Sequence, residues 1–173
     1  LETVNPRKQD QFFEIGCGRG ALTKRLIPKI KRIDGVEIDK DLISSLRKLE
    51  SSSTDLTIHQ DSVLKINLDK LSRNKSKFRV IGNLPYNLSS KIMLWTFSNA
   101  EHIFDIHYMF QKEFGERLVS PPGNKTYGRL SVLTQYMFDS ENLFEILPES
   151  FTPKPSVDSI FIKFQPKFQK DIN

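Results

Sequence analysis

The segment Asn-Leu-Pro-Tyr at positions 83–86 places two hydrogen-bond acceptors directly after an apolar run. An exocyclic amine on a planar base, such as N6 of adenine, is a poor nucleophile because its lone pair is delocalised into the ring. The side-chain oxygen of Asn83 and the main-chain carbonyl of Leu84 can accept both N–H bonds of such an amine. This arrangement favours a more pyramidal nitrogen whose lone pair faces an electrophilic methyl group.

The other two residues of the segment would hold the base in place. Pro85 fixes the backbone so that the Leu84 carbonyl points inward. Tyr86 offers a face on which a base that has left its stack can rest, an interaction worth about 1–3 kcal/mol. The segment therefore predicts attack of a base amine on a methyl group through positioning and desolvation, without a strong general base. An ordinary turn is the alternative interpretation.

A glycine-rich loop and two acids come earlier, each at the end of a strand-like run. Gly16, Gly18 and Gly20 lie between a strand and a helix, where small residues let the backbone turn tightly and approach a ligand. Glu37 follows Gly16 after about 20 residues, the spacing at which a carboxylate accepts both ribose hydroxyls. Asp61 ends the third strand and is placed to accept from an adenine amino group. A tight turn and a helix cap are the alternatives for the loop and for Asp61.

These features at three successive strand ends predict one crevice that holds an adenosine moiety. The glycines alternate along the chain and do not follow the G-x-G-x-x-G spacing, which favours S-adenosylmethionine over a nicotinamide dinucleotide. Asp39 is expected to cap the next helix. Cys17 has no histidine base near it in sequence and is interpreted as a small filler of the loop, not as a nucleophile.

Strand-like and helical patterns alternate along the chain, as the crossover units of an α/β fold require. The predicted strands are QFFEIG, IDGVEID, LTIHQD, FRVIGN and IFDIHYMF, and the predicted helices are ALTKRLIPKI, KDLISSLRKLE, SSKIMLWTF, KEFGERLV and RLSVLTQYMF. We expect a mostly parallel sheet covered on both faces. Two last strands, NLFEILP and VDSIFIKFQP, are too close together for a crossover helix and should pair antiparallel at the sheet edge.

Composition sets limits on partners and location. The chain has 173 residues, 38% of them hydrophobic, enough for one domain with a core. Its net charge of +5 favours nucleic acid as a partner, with a merely basic surface as the alternative. The single cysteine fits a reducing, cytoplasmic compartment. The histidines at 59, 102 and 107 lack metal-ligand spacing, and no apolar run reaches the ~20 residues of a membrane span. We expect no metal, no membrane contact and a monomer.

Seven segments in order resemble the KsgA family of small-subunit ribosomal RNA adenine N6,N6-dimethyltransferases. They are EIGCGRGALT, GVEIDKDL, HQDSV, GNLPYNLSS, FQKEFGERL, YGRLSVLTQY and FTPKPSVDS. The resemblance implies a class I methyltransferase with a seven-stranded sheet and S-adenosylmethionine as methyl donor. It also implies N6-dimethylation of two adjacent adenosines near the 3′ end of 16S ribosomal RNA, within immature small subunits during ribosome biogenesis.

The resemblance also implies roles for individual residues. The cofactor contacts would be Gly16, Gly18, Glu37, Asp61 and Asn83. The catalytic motif would be Asn83, Leu84, Pro85 and Tyr86. The substrate-binding residues would be Tyr86, Phe151, Lys112, Arg117 and Arg129. For Phe151 the alternative is a core residue, and for the three basic residues it is a solvated surface or a structural ion pair.

Domain limits follow from the same resemblance. We expect residues 1–165 to form the methyltransferase domain and residues 166–173 to be a linker toward a helical C-terminal domain. A family motif of the type G-Q-N-F-L is expected upstream of Leu1.

Other functions remain open on the sequence alone. The nearest is a large-subunit ribosomal RNA methylase of the erythromycin-resistance type, which shares the N-x-P-Y motif, although YGRLSV and VDS favour the KsgA type. A DNA adenine methylase is disfavoured because no target-recognition insert is visible. A non-catalytic RNA-binding, ribosome-assembly or mitochondrial transcription factor on this fold is a further alternative, and a dehydrogenase is the alternative for the fold alone.

Overall fold

The computed structural model describes residues 1–49, 55–72, 76–151 and 154–167. Within this part of the chain seven strands form one sheet in the order β3-β2-β1-β4-β5-β7-β6. The strands are β1 Gln11–Ile15, β2 Arg32–Glu37, β3 Asp55–Gln60, β4 Phe78–Asn83, β5 Ile103–Gln111, β6 Phe138–Ile146 and β7 Ser159–Pro166. The helices are α1 Thr23–Leu26, α2 Lys40–Arg47, α3 Leu68–Leu71, α4 Ser89–Ser98, α5 Lys112–Val119 and α6 Arg129–Met137.

The first five strands pair parallel to one another, which confirms the predicted α/β fold. Every residue of β1 is buried, and so are all residues of β4 except Asn83. Continuous burial of this kind is what a parallel sheet covered on both faces requires. Because the order reverses direction at β1 and β4, the loops after these two strands diverge and leave a crevice at their carboxyl ends.

The side chains of each strand point alternately to the two faces of the sheet, and this divides the core into two hydrophobic clusters. Phe13 and Val80 belong to the cluster that contains side chains of α4, α5 and α6. Their strand neighbours Phe12 and Ile81 belong to the other cluster, with side chains of α1 and α2. Successive residues of a strand point to opposite faces, so the two clusters lie on the two faces of the sheet and hold its central strands in place.

The antiparallel pairing of the last two strands is confirmed. β7 also pairs antiparallel with β5, so it lies between β5 and the edge strand β6. β6 begins at Phe138, directly after α6 and earlier than the predicted segment. Phe138 is buried and packs against the rings of Phe97 and Phe164. This non-local packing sets where the strand begins. The described helices include none long and apolar enough to cross a membrane.

Candidate active site

The carboxyl ends of β1 to β4 surround a cavity of about 420 Å³. Its walls include the predicted residues Gly16, Glu37, Asp61, Asn83 and Tyr86. These residues come from four separate segments, and the strand order brings them together as the sequence predicted. The volume lies within the range of about 300–1,000 Å³ that small-molecule sites occupy.

The loop after β1 has the backbone that its glycines predict. Gly16, Gly18 and Gly20 have φ angles of 70°, 55° and 75°, in the left-handed region that favours glycine. A Cβ atom at Gly16 would lie 3.7 Å from the main-chain oxygen of Asn83. A side chain at this position would therefore project toward the loop after β4 and reduce the space between the two loops.

Glu37 is fixed by the backbone around it. One carboxylate oxygen accepts the N–H of Gly18 at 2.7 Å, and the other accepts the N–H groups of Ile38 at 2.8 Å and Asp39 at 3.0 Å. The side chain lines the cavity although the residue is only 8% exposed. Gly18, which was expected to contact the cofactor, does not line the cavity; its backbone N–H bonds Glu37. A carboxylate has about four acceptor positions, so Glu37 retains capacity to bind a ligand hydroxyl.

The two other acids near these strand ends have different roles. Asp39 caps α2, because its side chain accepts the N–H of Asp41 at 2.9 Å, and this confirms the prediction. Asp61 accepts the N–H of Ser62 at 2.7 Å, and that bond is the main cause of its lowered pKa, so it is ionised near neutral pH. Ser62, not Asp61, provides the side-chain cap of the turn that follows. Asp61 is thus available as an acceptor on the cavity wall.

The loop after β4 lines the cavity with Asn83, Leu84, Pro85 and Tyr86. The N–H of Leu84 bonds the Met109 carbonyl at 3.2 Å, and the Leu84 side chain is buried. Pro85 has φ −64° and ψ 127°, and its carbonyl accepts the N–H of Leu88 at 2.9 Å. Asn83 is exposed. Among the described residues no partner occupies the Asn83 amide or the Leu84 carbonyl, so both acceptors remain available to a ligand.

An aromatic residue and a proline form the wall that comes from the segment before β7. Phe151 and Pro155 line the cavity together with Tyr86. Phe151 is half-buried, which differs from the fully buried rings of the core. Two aromatic residues, Tyr86 and Phe151, therefore line the same cavity as Asn83 and Leu84.

The basic residues predicted to contact substrate lie outside the cavity wall. Lys112 pairs with Glu145 at 2.8 Å, and this partner raises the pKa of the lysine. Arg117 pairs with Glu113 at 3.2 Å, one helical turn away. Arg129 is exposed at the start of α6. Exposed pairs of this kind contribute little to stability, so they leave the side chains able to exchange partners.

Sequence reasoning missed an apolar wall of the cavity. Ile38 lines the cavity and is 68% exposed, between the acids Glu37 and Asp39. Val63 lines it on the segment after β3. The signal that could have identified Ile38 is an apolar residue directly after a strand, where the chain would otherwise turn in polar residues.

Sequence reasoning also missed a buried acid beneath the glycine loop. Glu14, on β1, is 2% exposed and accepts the Thr23 hydroxyl at 2.7 Å. Burial, opposed by the Thr23 bonds, raises the pKa of Glu14 to about 7. A raised pKa in the folded state means that folding binds a proton. This stabilisation is complete below the ordinary pKa of 4.5 and is lost as the pH rises through about 7.

We therefore expect Glu14→Gln to be more stable than the unmodified protein at pH 8 and equal to it near pH 4.5. The difference should approach about 3 kcal/mol, at 1.36 kcal/mol per pKa unit. Denaturant unfolding at a series of pH values measures it. Glu141→Gln, at an exposed position of β6, is the control and should leave the pH dependence unchanged. Equal stabilities of Glu14→Gln and the unmodified protein at pH 8 would contradict the assignment.

Metal and thiol chemistry find no support in the described residues. No group of three or more histidine, cysteine, aspartate or glutamate side chains there could hold a metal ion. Cys17 is buried, and burial raises the pKa of its thiol far above the ordinary range. A Cβ atom at Gly35 would lie only 2.5 Å from the Cys17 sulfur, so Cys17 fills the space next to Gly35, in agreement with its interpretation as a filler of the loop.

The strand order and the cavity at the carboxyl ends of β1 to β4 are those of a class I S-adenosylmethionine-dependent methyltransferase. The family model described as "Ribosomal RNA adenine dimethylase" matches residues 1–173. The chain belongs to this family.

Relatives and solved structures agree with this assignment. The chain is 43% identical over 166 residues to "Ribosomal RNA small subunit methyltransferase A" of Saccharophagus degradans, covering 96% of the chain and 62% of the relative. For the Coxiella burnetii protein of the same name the identity is 40%, covering 96% and 64%. A dimethyladenosine transferase from Plasmodium falciparum superposes with a TM-score of 0.83 at 29% identity, covering 96% and 59%. The 23S rRNA methyltransferase ErmE superposes with a TM-score of 0.81 at 26% identity, and the match covers 96% of the chain and 65% of ErmE.

The chain thus spans less than two thirds of the length of these curated relatives.

Proposed function

We propose that this chain is the catalytic part of an enzyme that transfers methyl groups from S-adenosylmethionine to N6 of two adjacent adenosines near the 3′ end of 16S ribosomal RNA. The observation that carries the proposal is the loop at Asn83–Tyr86. Its ring and its two acceptors, which have no partner among the described residues, belong to the same cavity wall as the Glu37 carboxylate. In this arrangement the cofactor would lie on the Glu37 side of the cavity and the target base on the Tyr86 side.

The residues of the cavity fit the cofactor. Glu37 would accept a ribose hydroxyl at the acceptor position that its three backbone bonds leave. Asp61 would accept from the adenine amino group, and Ile38 would pack against the adenine ring. The open backbone at Gly16 would let the sulfonium end pass between the loops after β1 and β4. When bound, the cofactor supplies an electrophilic methyl group.

The protein's own contribution is to make the target amine a better nucleophile. Asn83 Oδ1 and the Leu84 carbonyl would each accept one N6–H, because neither has a partner among the described residues. Accepting both N–H bonds favours a pyramidal nitrogen with its lone pair directed away from the two acceptors. The methylated amine sheds a proton readily, so no strong base is needed. The rate gain comes from orientation and from exclusion of water.

Two aromatic rings would hold the flipped base. Tyr86 and Phe151 both line the cavity, and stacking on such rings is worth about 1–3 kcal/mol per base. The base must leave its own stack first, which an RNA loop permits at lower cost than a helix. Lys112, Arg117 and Arg129 would contact the RNA backbone outside the cavity, and Lys112 and Arg117 would exchange their carboxylate partners for phosphates.

Location and domain limits complete the proposal. The substrate would be the immature small subunit, which places the activity in the cytoplasm and in ribosome biogenesis. Residues 1–165 would form the methyltransferase domain, and residues 166–173 would lead toward a helical C-terminal domain. The structure describes the chain as far as residue 167, and β7 includes Pro166; the remainder of the expected linker lies outside the described residues. The enzyme would act as a monomer.

The test is a calorimetric titration of S-adenosylmethionine into the full-length protein, with NAD as the comparison ligand. We expect binding of the methyl donor and none of NAD. Methyl transfer is then measured on immature small subunits and on protein-free 23S RNA. The 23S RNA is included because the chain superposes on ErmE with a TM-score of 0.81. Transfer only to 23S RNA would favour the erythromycin-resistance type of activity. Donor binding without transfer to either RNA would favour a non-catalytic role, and no binding of either ligand would overturn the proposal.

A further inference from the structure

A hydrogen bond links a residue of the cavity wall to the start of β7. The hydroxyl of Tyr86 lies 3.1 Å from Oγ of Ser159, although the two residues are 73 positions apart in sequence. Tyr86 belongs to the loop after β4, and Ser159 is the first residue of β7. The bond therefore joins the proposed catalytic loop to the antiparallel strand that follows Phe151 and Pro155.

Ser159 is a fixed point in the fold. It is fully buried, and it pairs with Gln111 of β5 on one side and with Ile146 of β6 on the other. The preceding carbonyl, of Asp158, accepts the N–H of Lys112 at 2.9 Å. A serine with paired strands on both sides has little freedom to move, so its hydroxyl has a defined position.

Tyr86 has less support at its backbone, where its carbonyl accepts the N–H of Ser89. It begins the short 3₁₀ turn Tyr86–Leu88, and its ring is half-buried on the cavity wall. A tyrosine ring turns about two side-chain torsions, and the second is broad. A hydrogen bond at Oη, which lies on the axis of the second torsion, restricts the first torsion and so fixes where the ring lies on the cavity wall.

We propose that Ser159 is a positioning residue for the methyl-transfer reaction: its hydroxyl holds the Tyr86 ring at the position that the target base needs. The inference rests on the proposed function, because it assigns Ser159 a role in that same site. Ser159 does not touch the base. It acts through Tyr86, and it also ties the loop after β4 to the segment that carries Phe151.

The test compares Ser159→Ala, Tyr86→Phe and the double variant in the full-length protein, with immature small subunits as substrate. Each single variant is expected to lower kcat about 10-fold, since small errors in placement reduce rates strongly. The KM for S-adenosylmethionine should not change. The kcat of the double variant should be no lower than that of the slower single variant, because each substitution removes the same Tyr86–Ser159 bond.

A second readout does not depend on activity. When 3-fluorotyrosine replaces the tyrosines, each gives a ¹⁹F signal. The signal that is missing from the spectrum of the Tyr86→Phe variant belongs to Tyr86. In Ser159→Ala this signal is expected to shift and to narrow as the ring gains motion. An unchanged Tyr86 signal would overturn the inference whether or not the protein methylates RNA, and a shifted signal in a protein that does not bind the methyl donor would overturn the proposed function alone.

Tyr108→Phe is the matched control. The Tyr108 hydroxyl lies 3.0 Å from that of Thr96, fully buried and away from the cavity. Its loss removes the same kind of bond and should lower stability while leaving kcat unchanged. If Tyr108→Phe slows the reaction as much as Ser159→Ala, the effect is general destabilisation and the positioning role is wrong. Losses that multiply in the double variant would also overturn it.

Discussion

Asn83→Ala is expected to lower kcat for methyl transfer by about 100- to 1,000-fold, the range found when one preorganised hydrogen-bonding group is removed from an active site. Alanine leaves one N–H of the target amine without its acceptor, so the nitrogen stays closer to planar. Asn83 is exposed at the end of β4, and the fold should not depend on its side chain. Thermal unfolding of the variant should therefore match that of the unmodified protein.

Asn83→Asp separates the loss of an acceptor from the loss of shape. An aspartate keeps an oxygen where Asn83 Oδ1 lies and replaces the amide nitrogen by a second acceptor. We expect it to lose less activity than Asn83→Ala. Single-turnover measurement with saturating S-adenosylmethionine isolates the chemical step from cofactor binding.

Asn87→Ala provides the matched control for Asn83→Ala. Asn87 is an exposed asparagine of the same loop, and it does not line the cavity. Its removal is expected to leave kcat within about twofold, since surface changes away from a site have small effects. A comparable loss for both alanine variants would mean that the loop, and not the Asn83 oxygen, determines the rate.

The parts of the fold that the sequence predicted are those that depend on local pattern. Glu37 and Asp61 each follow a run of strand-forming residues, so their place at strand ends can be read directly from the sequence. The glycines of the loop after β1 identify a backbone with positive φ. Since the carboxyl ends of parallel strands meet at one edge, predicting the strands was enough to predict one shared crevice.

What the sequence did not predict depends on contacts between distant segments. The bond from Tyr86 to Ser159 and the insertion of β7 beside β5 join segments that no local pattern relates. The raised pKa of Glu14 arises from burial under the glycine loop, which is a property of the packed structure. β6 begins at Phe138 because that ring packs in the core, whereas periodicity alone assigned the residue to the preceding helix.

Glu37→Ala is expected to weaken binding of S-adenosylmethionine by about 10- to 150-fold, because a hydrogen bond to a charged group is worth about 1.5–3 kcal/mol and a ribose hydroxyl would lose its acceptor. The change also releases the N–H of Gly18, which Glu37 accepts at 2.7 Å. Calorimetry gives the affinity directly. Asp39→Ala is the control: it removes the cap of α2 and costs about 1 kcal/mol of stability, while cofactor affinity should remain.

A pair of ligands shows whether the effect acts through the ribose. In the unmodified protein, adenosine should bind more tightly than 2′,3′-dideoxyadenosine, because only adenosine offers hydroxyls to Glu37. In Glu37→Ala the two ligands should bind equally, since the acceptor is gone, and the coupling between protein change and ligand change measures the contact. If the preference for adenosine persists in the variant, the carboxylate serves only to hold the Gly18 loop in place, and the ribose is bound by another group.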